Sequence, residues 1–301
     1  MEVPPTMSYV TINQKPDVQL EYLMMAFSGW ADAGEAATNT VRYIQRSLKA
    51  QKFAEIEPEE FYDFTQTRPI SVRTKEGLRR VHWPSNEFAW SVLPETGKGI
   101  MFFLGIEPNL RWRTFSHSIA DFAKNCGVKT VVHLGALLDA VPHTRDVTLT
   151  GSATHPELRR TLESSNIRSS NYQGPTGISS AVLEACADQG IEYASLWGHT
   201  SHYLQAAPNY RVSYTLASTL TGLLNLSLDL GELGSAAAAF DKQVADAIAK
   251  DEQISSYVTK LENQYDESAP VIEMPDPSEV VRDLEQFLRA RQRRRPGDPQ
   301  P

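Results

Sequence analysis

The chain has 301 residues and a formal charge of −8, from 29 Lys plus Arg against 37 Asp plus Glu. That excess of carboxylates argues against a dedicated nucleic-acid binder, which needs a basic field to neutralise phosphates. Hydrophobic residues at 41% and charged residues at 22% allow a sizeable core, in two domains or in one large α/β domain with a C-terminal extension.

In chain order, residues 1–17 are Pro-containing and polar, and read as a loose arm. The run "LEYLMMAF" (20–27) suits a buried strand, and from Glu35 the positions Ala37, Val41, Ile44 and Leu48 recur at helical spacing. "KFAEI" is the next strand, followed by hairpin-like turns at Lys75–Gly77 and Pro84–Asn86. "KGIMFFLGI" is a buried strand, "WRTFSHSIADFAKNCG" a helix stopped by Gly127, and "VKTVVHLGALL" a further strand. Strand-like "VTLTGSA", helical "PELRRTLES", the loop "NYQGPTG", helical "ISSAVLEACADQG" and the strand "IEYASLWGH" follow. A helix opens at Pro208 and runs to about Leu226. Alternating strands and helices of these lengths predict a three-layer αβα sandwich, with a mixed sheet because of the hairpin region.

Composition shifts near Leu230. Phe240, Val244, Ile248, Ile254, Val258, Leu261 and Tyr265 form an apolar stripe, as one long amphipathic helix or a pair broken near Asp251. A Pro-rich linker "APVIEMPDP", an amphipathic piece Val280–Leu288 and a basic tail complete the chain. The expected division is a core domain over 18–230, a helical extension over 231–290, and flexible ends at 1–17 and 291–301. No apolar stretch approaches the ~18 residues of a membrane span, and the N-terminal residues lack the basic-then-apolar pattern of a secretory leader. Cys126 and Cys186 have no CxxC or metal-ligand spacing and read as small buried hydrophobes. A cytoplasmic protein without membrane or nucleic-acid partners is the expectation.

"FSGWADAGEAA" (27–37) sets Gly29 and Gly34 at the glycine spacing of a phosphate-binding P-loop. Such a loop needs Lys and then Ser or Thr after its second glycine, but Glu35 and Ala36 stand there, and Asp32 adds a second carboxylate. These charges repel a triphosphate, so Asp32 is read instead as an N-cap, with Glu35 reaching back in a capping box. The loop still lies beyond the carboxyl end of a strand, where α/β folds place ligands. Loops after the other strands bring Glu107, Asn109, Arg111, Asp139, His143, His199 and His202 toward the same rim. "GPTG" adds Thr176 at a helix start able to receive an anion. Trp30 packs under neighbouring loops or forms a pocket wall.

The three-residue spacing of His199 and His202 fits a hydrogen-bonded loop pair better than a metal site, since no HExxH motif accompanies it. His143, beside Arg145 and Asp146, suits a polar turn as well as acid–base work. There is no GxSxG elbow. Ser28 as a nucleophile and Asp32 with Glu107 as an acid–base pair are open alternatives, and no catalytic residue, metal or cofactor is assigned.

"FSGWADAGEAA", "FYDFTQTRP", "LGIEPNLRWRTF", "LGALLDAVPHTR", "GPTGIS" and "SLWGHTSHYLQAAPN", in this order, resemble the bacterial branch of the proteasome assembly chaperone 2 family, its actinobacterial members above all. The similarity runs from about residue 18 to about 290. It implies a phosphorylase/hydrolase-like αβα domain with a helical C-terminal extension, self-association with a trimer as the expected form, and proteasome subunits as candidate partners. The tail "RRRPGDPQP" does not match the proteasome-docking segment of the eukaryotic members. Two functions follow: a non-enzymatic, homo-oligomeric interaction protein, or a phosphorylase- or hydrolase-like enzyme acting on a small metabolite at the strand-end loops.

Overall fold

The computed structural model describes residues 9–267 except 166, 171, 205 and 206. The expected Pro-rich linker, the amphipathic piece Val280–Leu288 and the basic tail lie outside the described residues, as do the first eight.

The centre of the molecule is set by four strands whose sequences are apolar on both faces. In β2 (Leu20–Ser28), Leu23 through Phe27 are all buried, and β7 (Gly99–Ile106) and β8 (Thr130–Asp139) show the same continuous burial. Burial on both faces requires helices on both sides of a parallel sheet. Together with β10 (Glu192–Ser201) these strands run parallel in the order β7-β2-β8-β10. Antiparallel strands complete both flanks: β1 (Val10–Ile12), β3 (Gln51–Ile56) and β6 (Glu87–Val92) on one side, β9 (Leu149–Ala153) on the other. The result is one mixed eight-stranded sheet, β1-β3-β6-β7-β2-β8-β10-β9.

Helices α2 (Trp112–Asn125) and α4 (Ile178–Asp188) cover one face, burying Phe115, Ile119, Val182 and Cys186 against Leu23, Met25, Phe27 and Phe103. On the other face, α1 (Ala36–Ser47) and α5 (Tyr210–Leu223) set Val41, Ile44, Leu216 and Leu220 against Met24, Phe102, Leu134 and Leu196. The short α3 (Pro156–Ser164) adds Leu162 to this second core. This is the three-layer sandwich that the sequence pattern predicts.

The C-terminal stripe is a helical pair, α6 (Gly231–Ile248) and α7 (Glu252–Glu267), broken where Asp251 turns its carboxylate onto the free N–H groups of Gln253 and Ile254, at 3.0 and 3.1 Å. Helix α6 lies outside α1 and α5, its Leu233 packed with Tyr43 and Ala217.

Two expectations change. The turn at Lys75–Gly77 makes a hairpin of β4 (Ile70–Arg73) and β5 (Arg79–His82), but Pro84–Asn86 does not make a second one. There the chain leaves this separate two-stranded ribbon and enters the main sheet as β6, and a proline at that junction has no ladder bond to lose. Within the stretch expected to be a loose arm, Val10–Ile12 pairs antiparallel with Ala54–Ile56.

Register brings the four parallel strands to one level. Ser28 is opposite Ile106, and Asp139 is opposite Ser201. Their carboxyl ends form a single rim, from which the β2–α1, β7–α2, β8–β9 and β10–α5 loops emerge.

Candidate functional site

Asp32 sits just past the end of β2 and is buried. Its Oδ1 accepts hydrogen bonds from the N–H groups of Ala37 (2.8 Å) and Thr38 (3.1 Å), and its Oδ2 accepts from the Thr38 hydroxyl (2.5 Å). Asp32 therefore caps α1, but from further upstream than a capping box allows. Gly34 and Glu35 both adopt left-handed backbone (φ 60° and 51°), so Glu35 itself occupies the N-cap position and its side chain makes no capping bond. Burial pushes the Asp32 carboxyl above its usual range, against the lowering effect of the Thr38 and Ala37 bonds and of Arg42.

Next along the rim, Glu107 Oε1 accepts the N–H of Ile178, the first residue of α4, at 2.8 Å. The anion site expected at the "GPTG" turn is thus filled by the protein's own carboxylate. Asp32 and Glu107 are each bound to a different helix start. A Cβ on Gly177 would lie 2.9 Å from Glu107 Oε1 and 3.3 Å from Trp30 Cε3, so any larger residue must push Glu107 or Trp30 aside. Trp30 lies over this turn with 64% of its surface exposed, and Leu110 is 49% exposed nearby in the β7–α2 loop. Thr176 is exposed and, among the described residues, bonds to Ser180 and its own turn. Ser28 donates weakly to the Gly105 carbonyl, 3.5 Å away.

Asn109 and Arg111 hold the neighbouring loop. Asn109 Oδ1 accepts from the Asp63 N–H and the Thr67 hydroxyl, at 3.1 and 3.0 Å. Arg111 pairs with Glu60, donates to the Tyr9 hydroxyl at 2.8 Å, and stacks over the Tyr9 ring.

The β8/β10 side differs. His199 Nδ1 lies 2.6 Å from Asp139 Oδ2, and its Nε2 lies 3.0 Å from the Thr150 hydroxyl. A carboxylate can only accept, so Nδ1 donates and Nε2 is left to face Thr150. His202 is joined to the same residue through the Asp139 carbonyl, 3.1 Å from Nδ1, and to the Tyr257 hydroxyl of α7, 3.0 Å from Nε2. Tyr203 bonds His143 at both the backbone N–H (2.8 Å) and Nδ1 (2.7 Å), and packs edge-on against His143, His202 and Tyr257. Arg145 fastens α7 over this cluster through Glu262 and Asp266.

For Asp139, burial raises the pKa, but the His199 bond and charge, with the Ala140 N–H, outweigh it and leave the carboxyl below its usual range. Burial lowers His143, partly opposed by Asp241 and Glu262. The cleft between His143, His199, Asn209, Arg211 and Asp241 has about 20 Å³ of room for solvent, enough for roughly one water molecule. Among the described residues, no group of three or more His, Cys, Asp or Glu side chains is arranged to hold a metal ion.

The rim predicted from sequence is therefore two sites. Trp30, Glu107 and the start of α4 form an open half, with Asn109 and Arg111 bracing its margin and Asp32 beneath α1. His143, His199 and His202 form a covered half around Asp139. Sequence reasoning missed Thr150, Tyr203 and Tyr257, whose partners lie 49 to 60 residues away. Tyr203, next to His202, was the one with a local signal.

The PAC2 family model matches residues 26–248. A PAC2 family protein from Streptomyces avermitilis is 36% identical, covering 79% of this chain and 99% of its own, with a TM-score of 0.72. A Mycobacterium tuberculosis proteasome-assembly chaperone homologue is 32% identical over 79% of this chain and 99% of its own, with a TM-score of 0.71. A Corynebacterium glutamicum protein at 23% identity shares the fold, with a TM-score of 0.76 over 86% of this chain and 97% of its own. A search of curated proteins finds no match. The chain belongs to the bacterial branch of the PAC2 family.

Proposed function

We propose that this chain is a non-enzymatic, homo-oligomeric interaction protein that chaperones proteasome assembly, docking subunits on the open half of its rim. One observation carries the reading. At the strand ends where an α/β enzyme keeps a substrate pocket, the polar groups are bonded to one another while Trp30 projects 64% exposed. An exposed tryptophan beside fixed loops is what a protein-binding anchor looks like. Similarity to the mycobacterial proteasome-assembly chaperone homologue supports the choice of partner. The core over 18–230 is the docking body, and the helices after residue 230 serve subunit contact.

The test mixes the purified chain with α- and β-subunits of an actinobacterial 20S proteasome and follows assembly by native mass spectrometry. The chain is expected on assembly intermediates, with at least ~10-fold weaker binding after Trp30→Ala, as for a central aromatic anchor. Assembly that proceeds at the same rate with the chain bound to no intermediate contradicts the reading.

The Thr150–His199–Asp139 chain favours a second reading, a hydrolase-like activity, because it has the relay order of a hydroxyl nucleophile, base and carboxylate. Here His199 takes the Thr150 proton and Asp139 orients the ring. Labelling of Thr150 by a hydroxyl-directed fluorophosphonate, lost in His199→Ala, supports it; unlabelled wild-type protein contradicts it.

A further inference from the structure

The β4–β5 ribbon is the one two-stranded element that pairs with nothing else among the described residues. Every residue of both strands is exposed. Ile70, Leu78, Val81 and Trp83 are 65%, 64%, 53% and 53% exposed, an apolar display that a solitary surface ribbon does not need. Its charge is also out of character. From residue 68 to 82, Arg68, Arg73, Lys75, Arg79 and Arg80 face a single carboxylate, Glu76, a net +4. With the whole chain at −8, everything outside the ribbon carries −12. Among the described residues, none of these five cations has a carboxylate within ion-pair distance.

The α6–α7 layer has the opposite character. Over 231–267, eight carboxylates face three lysines, a net −5. Arg46, Arg145 and Arg211 engage four of the eight and Asp251 caps α7, which leaves Asp246, Glu252 and Glu267 exposed without an arginine partner among the described residues. The two surfaces belong to opposite halves of the sheet. The ribbon rises between β3 and β6, whereas α7 is fastened over the loops after β8 and β10. From β6 to β10 is four strand spacings, about 19 Å.

We infer that the ribbon of one copy docks on the α6–α7 layer of the next. This rests on the homo-oligomeric reading above and deepens it by naming the contact. Ribbon-to-ribbon pairing is disfavoured because cations mark both ends of the ribbon, Arg68 just before β4 at one and the paired Arg73 and Arg79 at the other. Like charges laid face to face repel. A contact between two different surfaces set apart on the sheet is heterologous, and where its rotation closes it gives a ring of three or more copies.

The test is sedimentation velocity on the full chain and two charge-reversed forms, with circular dichroism as the check on folding. Wild type is expected as a closed ring at 50 mM salt, and Arg79→Glu/Arg80→Glu as folded monomer, since both side chains are exposed and, among the described residues, neither makes a hydrogen bond or ion pair. Adding Asp246→Lys, Glu252→Lys and Glu267→Lys to that variant is expected to restore the ring. A monomeric wild type overturns the homo-oligomeric reading itself. A wild-type oligomer untouched by ribbon reversal, or a two-fold dimer, overturns the ribbon contact alone. Failed rescue overturns the α6–α7 layer as the receiving surface. Co-purifying RNA that ribbon reversal removes without changing the oligomer assigns the ribbon to nucleic acid, against the inference.

Discussion

The two halves of the rim are made from the same fold element and have opposite fates. Around β2 and β7, carboxylates are spent on helix starts: Glu107 on α4, Asp32 on α1. The surface above them is apolar and open at Trp30 and Leu110. Around β8 and β10, Asp139 organises two histidines, and α7 covers them. A carboxylate at the carboxyl end of a parallel strand is thus no sign of chemistry in itself. Its partner decides: backbone N–H groups make it a cap, and an imidazole makes it part of a buried charged network.

The sharpest way to break this distinction is a pair of substitutions. Asp139→Ala removes one member of a pair whose side chains are 13% and 5% exposed, and should cost about 3 kcal/mol in urea unfolding. Glu107→Ala removes a half-buried cap and should cost only about 1 kcal/mol. Equal losses would erase the difference between the halves.

Beneath the covered half, His133 is fully buried between Tyr193 and Trp197, and neither ring nitrogen has a hydrogen-bond partner among the described residues. Burial pushes its pKa down to about 4. The unfolded chain takes up this proton near pH 6.5, the folded chain only near 4, so stability is lost as pH falls through that window. The expected loss from pH 7 to 4 is roughly 3 kcal/mol, absent in His133→Leu. Asp139, held below the usual carboxylate range, has the depressed-acid sign. Its contribution is intact above the unfolded carboxyl value and is lost as pH falls through the folded one, below the His133 window. A pH profile unchanged by His133→Leu contradicts this account.

Asp32→Ala should cost about 1–2 kcal/mol, as for a lost helix cap. Smallest in global terms is Arg145→Ala, whose ion pairs with Glu262 and Asp266 are solvent-screened and contribute little to global stability. Its effect should instead be local, as faster amide exchange through Glu252–Glu267 with α1 and α5 unchanged.

The layers of the fold were legible because burial on both faces leaves continuous apolar runs, and helices on a sheet leave a 3.6-residue period. The break at Asp251 and the stop at Gly127 were legible for local reasons, a capping carboxylate and a left-handed glycine at φ 92°. The site was legible only as a set of loops. Which half each residue joins depends on strand order, and β7-β2-β8-β10 sets Glu107, just past β7, apart from His199, near the end of β10. Asp32 was correctly read as a cap for α1, but the capping box failed because two successive left-handed residues, Gly34 and Glu35, shift the helix start. Thr150 and Tyr257 carry no sequence signal, since a lone hydroxyl gains its role only from what the fold places opposite it.

Hydrogen exchange on the full chain, alone and with proteasome α-subunits, tests the central claim most directly. The account predicts slowed exchange in peptides spanning Trp30 and Leu110, with those around His199 unchanged. Protection centred on His199 and Tyr257, or no protection at any peptide, would contradict it.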